Sequence, residues 1–373
     1  MLGPMRPLAA FWLLPCLCLS LPAQRTLAEL QQAFSREAQQ LAQKQPQQEQ
    51  MLQLLGEQIG RLQKFVSTTA TGDDRWNGRL MLCDLNLARD DKKGAMAALV
   101  AIDKAEAPAL LLVTGATLAQ RLGMRDLRGE WIEAALGKPA PVPDQLAMAR
   151  LLTTILVEVD KGEGLFQKAL AAAADDEQRA FVRWHRADAM RDREDLAENA
   201  GFDELEKLAK DLPGTYWGNV AKDRLRATML RPGDDAIDVT TRTTAGATWK
   251  LAEQRGKAVV LVFWSAADQD MPTLLTQLRD AKTEHGDKLV LFGVCLDRDP
   301  AAVQPAAKAL GVDFPFAGDG QGILNDVALR WFVEGPTVHV LDAAGKVVAL
   351  GQHAGTQDAR VELQDAIRRA LPR

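Results

Sequence analysis

Cysteine thiols are the first groups to weigh, because a thiolate attacks disulfides and peroxides and a second thiol close by resolves the product. The chain has four cysteines, Cys16, Cys18, Cys83 and Cys295. The first two lie in an apolar N-terminal stretch. Cys83 sits in the helical run Leu80-Met-Leu-Cys-Asp-Leu85, and Cys295 comes late in the apolar run Leu289 to Leu296. Both read as small buried core residues, far apart in sequence, with no structural disulfide expected between them. The four histidines, His185, His285, His339 and His353, are scattered without ligand spacing. The acidic clusters Asp73-Asp74, Asp175-Asp-Glu177 and Asp234-Asp235 lack the spacing and glycine of a calcium loop. There is no zinc pattern, no phosphate-binding Gly-rich loop ending in Lys-Ser/Thr, and no Gly-x-Ser-x-Gly. No metal and no cofactor are expected.

Composition sets the frame for these groups. The 373 residues leave room for two or three domains, and 47% hydrophobic with 25% charged residues is an ordinary globular mix. A net charge of −5 argues against a general affinity for nucleic acid or anionic membrane. Residues 1–23 read as a secretory leader, with Arg6 as the only charge, an apolar core from Leu8 to Leu21, and a cut after Ala23. A lipoprotein cut before Cys16 and an uncleaved anchor are the alternatives. An extracytoplasmic location, periplasmic or secreted, follows as the expectation.

From Thr26 to near Arg226 the periodicity is helical, broken at Pro46, Arg89–Gly94, Gly137–Pro143, Asp160–Gly164 and Asp211–Gly214. Residues 24–229 are therefore expected to form an all-helical solenoid or bundle of tetratricopeptide-like hairpins. At Leu230-Arg-Pro-Gly the periodicity falls to two, and a second domain is expected over 230–373. Its first strands are placed at Ile237–Val239 and Ala247–Leu251, around Thr243-Thr-Ala-Gly246.

The centre of that second domain is Val259 to Pro272. Six uncharged residues, Val259 to Trp264, predict a strand buried on both faces. A polar turn, Ser265 to Asp270, leads into a helix running from Met271-Pro272 to about His285. Strands over Leu289–Leu296, Thr337–Leu341 and Lys346–Gly351 follow, with helices over Pro300–Leu310, Gln321–Phe332 and Thr356–Leu371. In a strand–turn–helix unit of this kind the turn is where chemistry sits.

This strand, turn and helix resemble the active-site element of the thioredoxin superfamily, in its extracytoplasmic redoxin (AhpC/TSA) or TlpA-like branch. The family pattern is Phe-Trp-x-x-x-Cys-x-x-Cys. Phe263 and Trp264 match it, and the two cysteine positions fall on Asp268 and Met271. The resemblance implies an α + α/β chain, the helical domain followed by a thioredoxin-like fold. It also implies a cis-proline at Pro336, facing the turn, beside which an extended peptide docks. Asp268 and Met271 cannot do thiol chemistry. No thiol stands at Met271, Pro272 or Thr273, where the peroxidase branch would need one, and Val262 replaces the buried acid of thioredoxin itself. Asp268 is expected as an N-cap-like residue, and Met271 as a gap-filler or a soft contact to a bound chain. The binding candidates are Trp264, Asp268, Gln269, Asp270, Met271, Gly335 and Pro336. The expected function is a protein- or peptide-binding scaffold that has lost its redox cysteines. The alternative is a thiol-disulfide oxidoreductase or peroxidase working through Cys295 or a partner's thiols.

Overall fold

The computed structural model describes residues 26–372 apart from 43–46, 194, 198 and 354. The expected leader, with Cys16 and Cys18, and the break at Pro46 lie outside the described residues. Helices run in order as α1 (Leu27–Ala42), α2 (Gln48–Thr68), α3 (Gly72–Ala88), α4 (Lys92–Val100), α5 (Ala109–Arg121) and α6 (Arg125–Leu136). They continue as α7 (Val142–Thr154), α8 (Val159–Ala172), α9 (Asp176–Arg191), α10 (Ala200–Asp211) and α11 (Tyr216–Met229). Sequential neighbours α3 and α4, α5 and α6, and α7 and α8 pack as hairpins, as the helical array expected from the sequence requires.

The break expected at Asp160–Gly164 does not occur, because those residues lie inside α8. The chain turns one step earlier, at Val157, whose φ is +57°. Gly162 serves packing instead: a Cβ there would lie 2.5 Å from Thr153 Cγ2 and 2.7 Å from the Ala149 carbonyl oxygen. The glycine that reads as a breaker lets α8 press against α7.

The remaining elements are β1 (Thr240–Arg242), β2 (Thr248–Lys250), β3 (Ala258–Trp264), α12 (Met271–His285), β4 (Leu289–Cys295), α13 (Pro300–Leu310), β5 (Phe316–Ala317), α14 (Asp326–Arg330), β6 (Thr337–Leu341), β7 (Val347–Gln352) and α15 (Gln357–Ala370). One five-stranded sheet has the order β5-β4-β3-β6-β7, with β3, β4 and β5 parallel and β6 and β7 antiparallel. This is the expected thioredoxin-like arrangement, with β3 central.

Every residue of β3 is buried. Val260, Val262 and Trp264 join one core with Leu274, Leu278, Leu363 and Ile367 of α12 and α15. Val259, Leu261 and Phe263 join the opposite core with Trp249, Phe292 and Trp331. A strand with apolar side chains on both faces is stable only when both are covered, and each large side chain so buried contributes about 1.5–3 kcal/mol.

Two expectations need correction here. The N-terminal hairpin pairs Thr240–Arg242 with Thr248–Lys250, later than expected on its first arm. Ile237 and Val239 go into the core, and the Val239 carbonyl accepts from Leu251 N–H at 2.8 Å. The helix expected over Gln321–Phe332 is instead a short 3-10 turn at Gly322–Leu324 followed by α14. The Asn325 side chain interrupts it by accepting from Val327 N–H at 3.0 Å, which starts a new helix.

By packing, the chain forms two compact units. Among the described residues, one takes those from 26 to 174 with those from 188 to 197; the other takes 175–187 with those from 199 to 372. Helices α10 and α11 lie before residue 230, where strand periodicity begins, yet they pack into the unit that holds the sheet.

Candidate functional site

The turn after β3 is built from short polar side chains that bond their own backbone. The Ser265 hydroxyl donates to Asp297 at 2.6 Å, and Ala266 N–H donates to the same carboxylate at 3.2 Å. Ala267 N–H donates to Ser265 Oγ at 3.2 Å, and Asp270 N–H donates to Asp268 Oδ1 at 3.0 Å. Asp268 thus closes the turn, and the residue at the N-cap position is Asp270, whose side chain caps nothing. That corrects the reading of Asp268 as the cap. Its carboxylate spends its bond two residues on, in an Asx-turn.

Beside this turn lies an open groove of about 670 Å³. Its lining includes Asp268, Asp270 and Pro336 from the expected set, together with Ser265, His353 and Thr356. Gly355 approaches Asp270 closely, since a Cβ there would sit 2.6 Å from Asp270 Oδ2. Gln269 is exposed on the turn, and Gly335 is half-buried next to Pro336, with open space where a Cβ would be. Beyond Pro336, Thr337 Oγ1 is shut off from solvent without a hydrogen-bond partner.

Trp264 and Met271 do not reach the groove. Both are fully buried in the core between β3, α12 and α15, and Trp264 sits edge-on to Phe316 with ring centroids 5.5 Å apart. The strand's alternation sends Trp264 inward, and the first helical turn sends Met271 under α12. The expectation that either contacts a ligand is therefore corrected. The expectation of a cis-proline is corrected as well: among the described residues no peptide bond is cis, so Gly335–Pro336 is trans. Trans is the intrinsically favoured isomer by roughly 0.5–1 kcal/mol.

Cys295 pairs in parallel register with Trp264, which puts it on the neighbouring strand at the same end of the sheet as the turn. It is fully buried, and burial, reinforced by the Asp297 charge, pushes its thiol up to about 12. Cys83 is also fully buried, and burial with the adjacent Asp84 charge pushes it up to about 12. Neither thiol carries appreciable thiolate at neutral pH, the form that attacks. Among the described residues, no group of His, Cys, Asp and Glu side chains could hold a metal ion.

Sequence reasoning missed Asp297, His353 and Thr356. Asp297 stands just past the C-terminal end of β4, beside the strand that carries the turn. That crevice between parallel strand ends is where ligands gather, so the position was a usable signal. His353 and Thr356 follow β7 and are brought in only by the sheet order.

Residues 232–350 match the AhpC/TSA family. The chain is 27% identical over 134 residues to the thioredoxin-like protein YneN of Bacillus subtilis, covering 34% of this chain and 74% of that protein. Among solved structures it is similar to a putative protein disulfide isomerase from Bacteroides thetaiotaomicron, at 26% identity and a TM-score of 0.34, over 38% of this chain and 91% of that one. It is also similar to a putative thiol:disulfide interchange protein DsbE from Chlorobium tepidum, at 23% identity and a TM-score of 0.34, over 38% and 99% of the two chains.

Proposed function

We propose that this thioredoxin-like redoxin domain works outside the cytoplasm as a binding module for a polypeptide partner and does not exchange disulfides. The observation that carries the reading is the pairing of positions and thiols. Asp268 and Met271 occupy the family's two cysteine positions, while the thiols of Cys83 and Cys295 are buried and pushed up to about 12. The groove beside the turn keeps a place for a ligand, and backbone pairing to an extended peptide needs no cysteine.

The groove's charge narrows the partner. Its lining holds the carboxylates of Asp268 and Asp270 and no lysine or arginine. The N-termini of α12 and α15 also face it, each worth about half a positive charge. Two full negative charges outweigh them, which favours a peptide carrying Lys or Arg.

The test is a disulfide-reductase and peroxidase assay on residues 24–373, beside an Asp268→Cys/Met271→Cys variant. A silent native protein and a variant that turns over support the proposal. Native turnover that disappears in Cys295→Ala would overturn it and make Cys295 the site.

A further inference from the structure

We infer that the α10–α11 hairpin, which precedes the AhpC/TSA-matched residues 232–350, fixes the Pro336 wall of the groove by docking Phe332 at a left-handed turn. The inference deepens the binding reading above, since it names what holds that groove in shape. Helix α14 ends in a reversal: Phe332 N–H donates to the Leu329 carbonyl at 3.3 Å and Val333 N–H to the Ala328 carbonyl at 2.9 Å. This bond pair defines a Schellman ending, whose left-handed position is normally glycine. Here it is Phe332, at φ +52°. An aromatic residue in that region is strained, so its side chain must gain something that glycine would not.

What it gains is contact with the hairpin. Phe202 of α10 meets the Phe332 ring edge-on, with centroids 5.8 Å apart, and the Arg224 guanidinium of α11 lies 4.6 Å from the ring centroid. The helix before the turn is pinned to the same hairpin. Arg330 bonds Asp326 at 2.9 Å and Asp223 of α11 at 2.6 Å, and the Tyr216 hydroxyl donates to Asp326 at 2.7 Å. Leu329 packs with Leu205, Leu208, Val220 and Ala221. On the sheet side Trp331 stacks on His339, at 5.2 Å and 26°. Only Val333, Glu334 and Gly335 separate Phe332 from Pro336, so the direction of the chain at Phe332 sets where Pro336 stands.

The experiment is amide hydrogen exchange on the full chain, comparing native protein with Phe332→Gly and Asp223→Asn. Phe332→Gly keeps the turn without strain and removes the docking; Asp223→Asn removes the ion pair and keeps the ring. Exchange at the amides of Glu334, Gly335 and Thr337, which flank Pro336, should rise on the order of tenfold in both variants, with residues 258–264 as protected as before. Native exchange at those three amides in either variant overturns the inference, because the turn would then hold without the hairpin. A parallel rise at 258–264 overturns it too, since the effect would be global unfolding. If Phe332→Gly does not fold, Asp223→Asn decides. No ligand is needed, so the outcome is independent of whether the groove binds a peptide.

Discussion

The Ser265 hydroxyl donates to the Asp297 carboxylate at 2.6 Å, joining the turn after β3 to the end of β4. A redox enzyme aims the N–H groups of a helix N-terminus at its thiolate, and in this protein the turn leading to that helix is closed by short polar side chains. Ala266 N–H goes to Asp297, Ala267 N–H to Ser265 Oγ and Asp270 N–H to Asp268. The turn before α12 satisfies its own donors.

Asp297→Ala should lower the unfolding free energy by about 1–3 kcal/mol, because it strands a hydroxyl and an N–H at a half-buried site. Asp297→Asn retains an acceptor and should cost less. Urea denaturation of both variants checks the order; equal stability of Asp297→Ala and native protein would refute it.

Cys83 and Cys295 should be inert in the folded protein. Both are fully buried with thiols pushed up to about 12, so on residues 24–373, which lack Cys16 and Cys18, a colourless-to-yellow aromatic disulfide reagent at pH 8 should register no thiol until denaturant is added. Rapid reaction of one thiol in native buffer would contradict the burial argument.

His339 sets an acid limit on stability. It is buried, accepts Gly351 N–H at Nδ1 at 3.1 Å, and is pushed down to about 4, chiefly by burial, with nearby His353 adding to the effect. The unfolded chain binds the proton near 6.5, so stability is full above that pH and falls as pH drops through 4. The loss at the acid end is roughly 3 kcal/mol. His339→Gln should flatten the curve between those two values; chemical denaturation across the range, native against variant, measures the difference in slope.

Two glycines in α8 should respond to alanine with opposite sign. Gly162→Ala drives a Cβ to within 2.5 Å of Thr153 and should destabilise by about 1–3 kcal/mol. Gly164 has nothing within 4 Å of its Cβ position, and Gly164→Ala should stabilise by about 0.5–1 kcal/mol through helix propensity. Thermal melts of the two variants should move apart, and shifts in the same direction would count against the close packing of α7 on α8.

Much of this protein was legible in the order of its residues. The uncharged run Val259 to Trp264 fixed the doubly buried central strand, and Met271-Pro272 marked the start of α12, because burial pattern and helix-start chemistry are local properties. That residues 268 and 271 are Asp and Met, with no thiol, is likewise read directly from the sequence. Tertiary structure decided what those residues face. It turned Trp264 and Met271 into the core, kept the Gly335–Pro336 bond trans, and brought Asp297, His353 and Thr356 to the turn from two later segments. It also gave Gly162 a packing role and Phe332 a glycine's backbone. Such outcomes depend on which distant surfaces press together, and a local pattern carries no record of its neighbours across the fold.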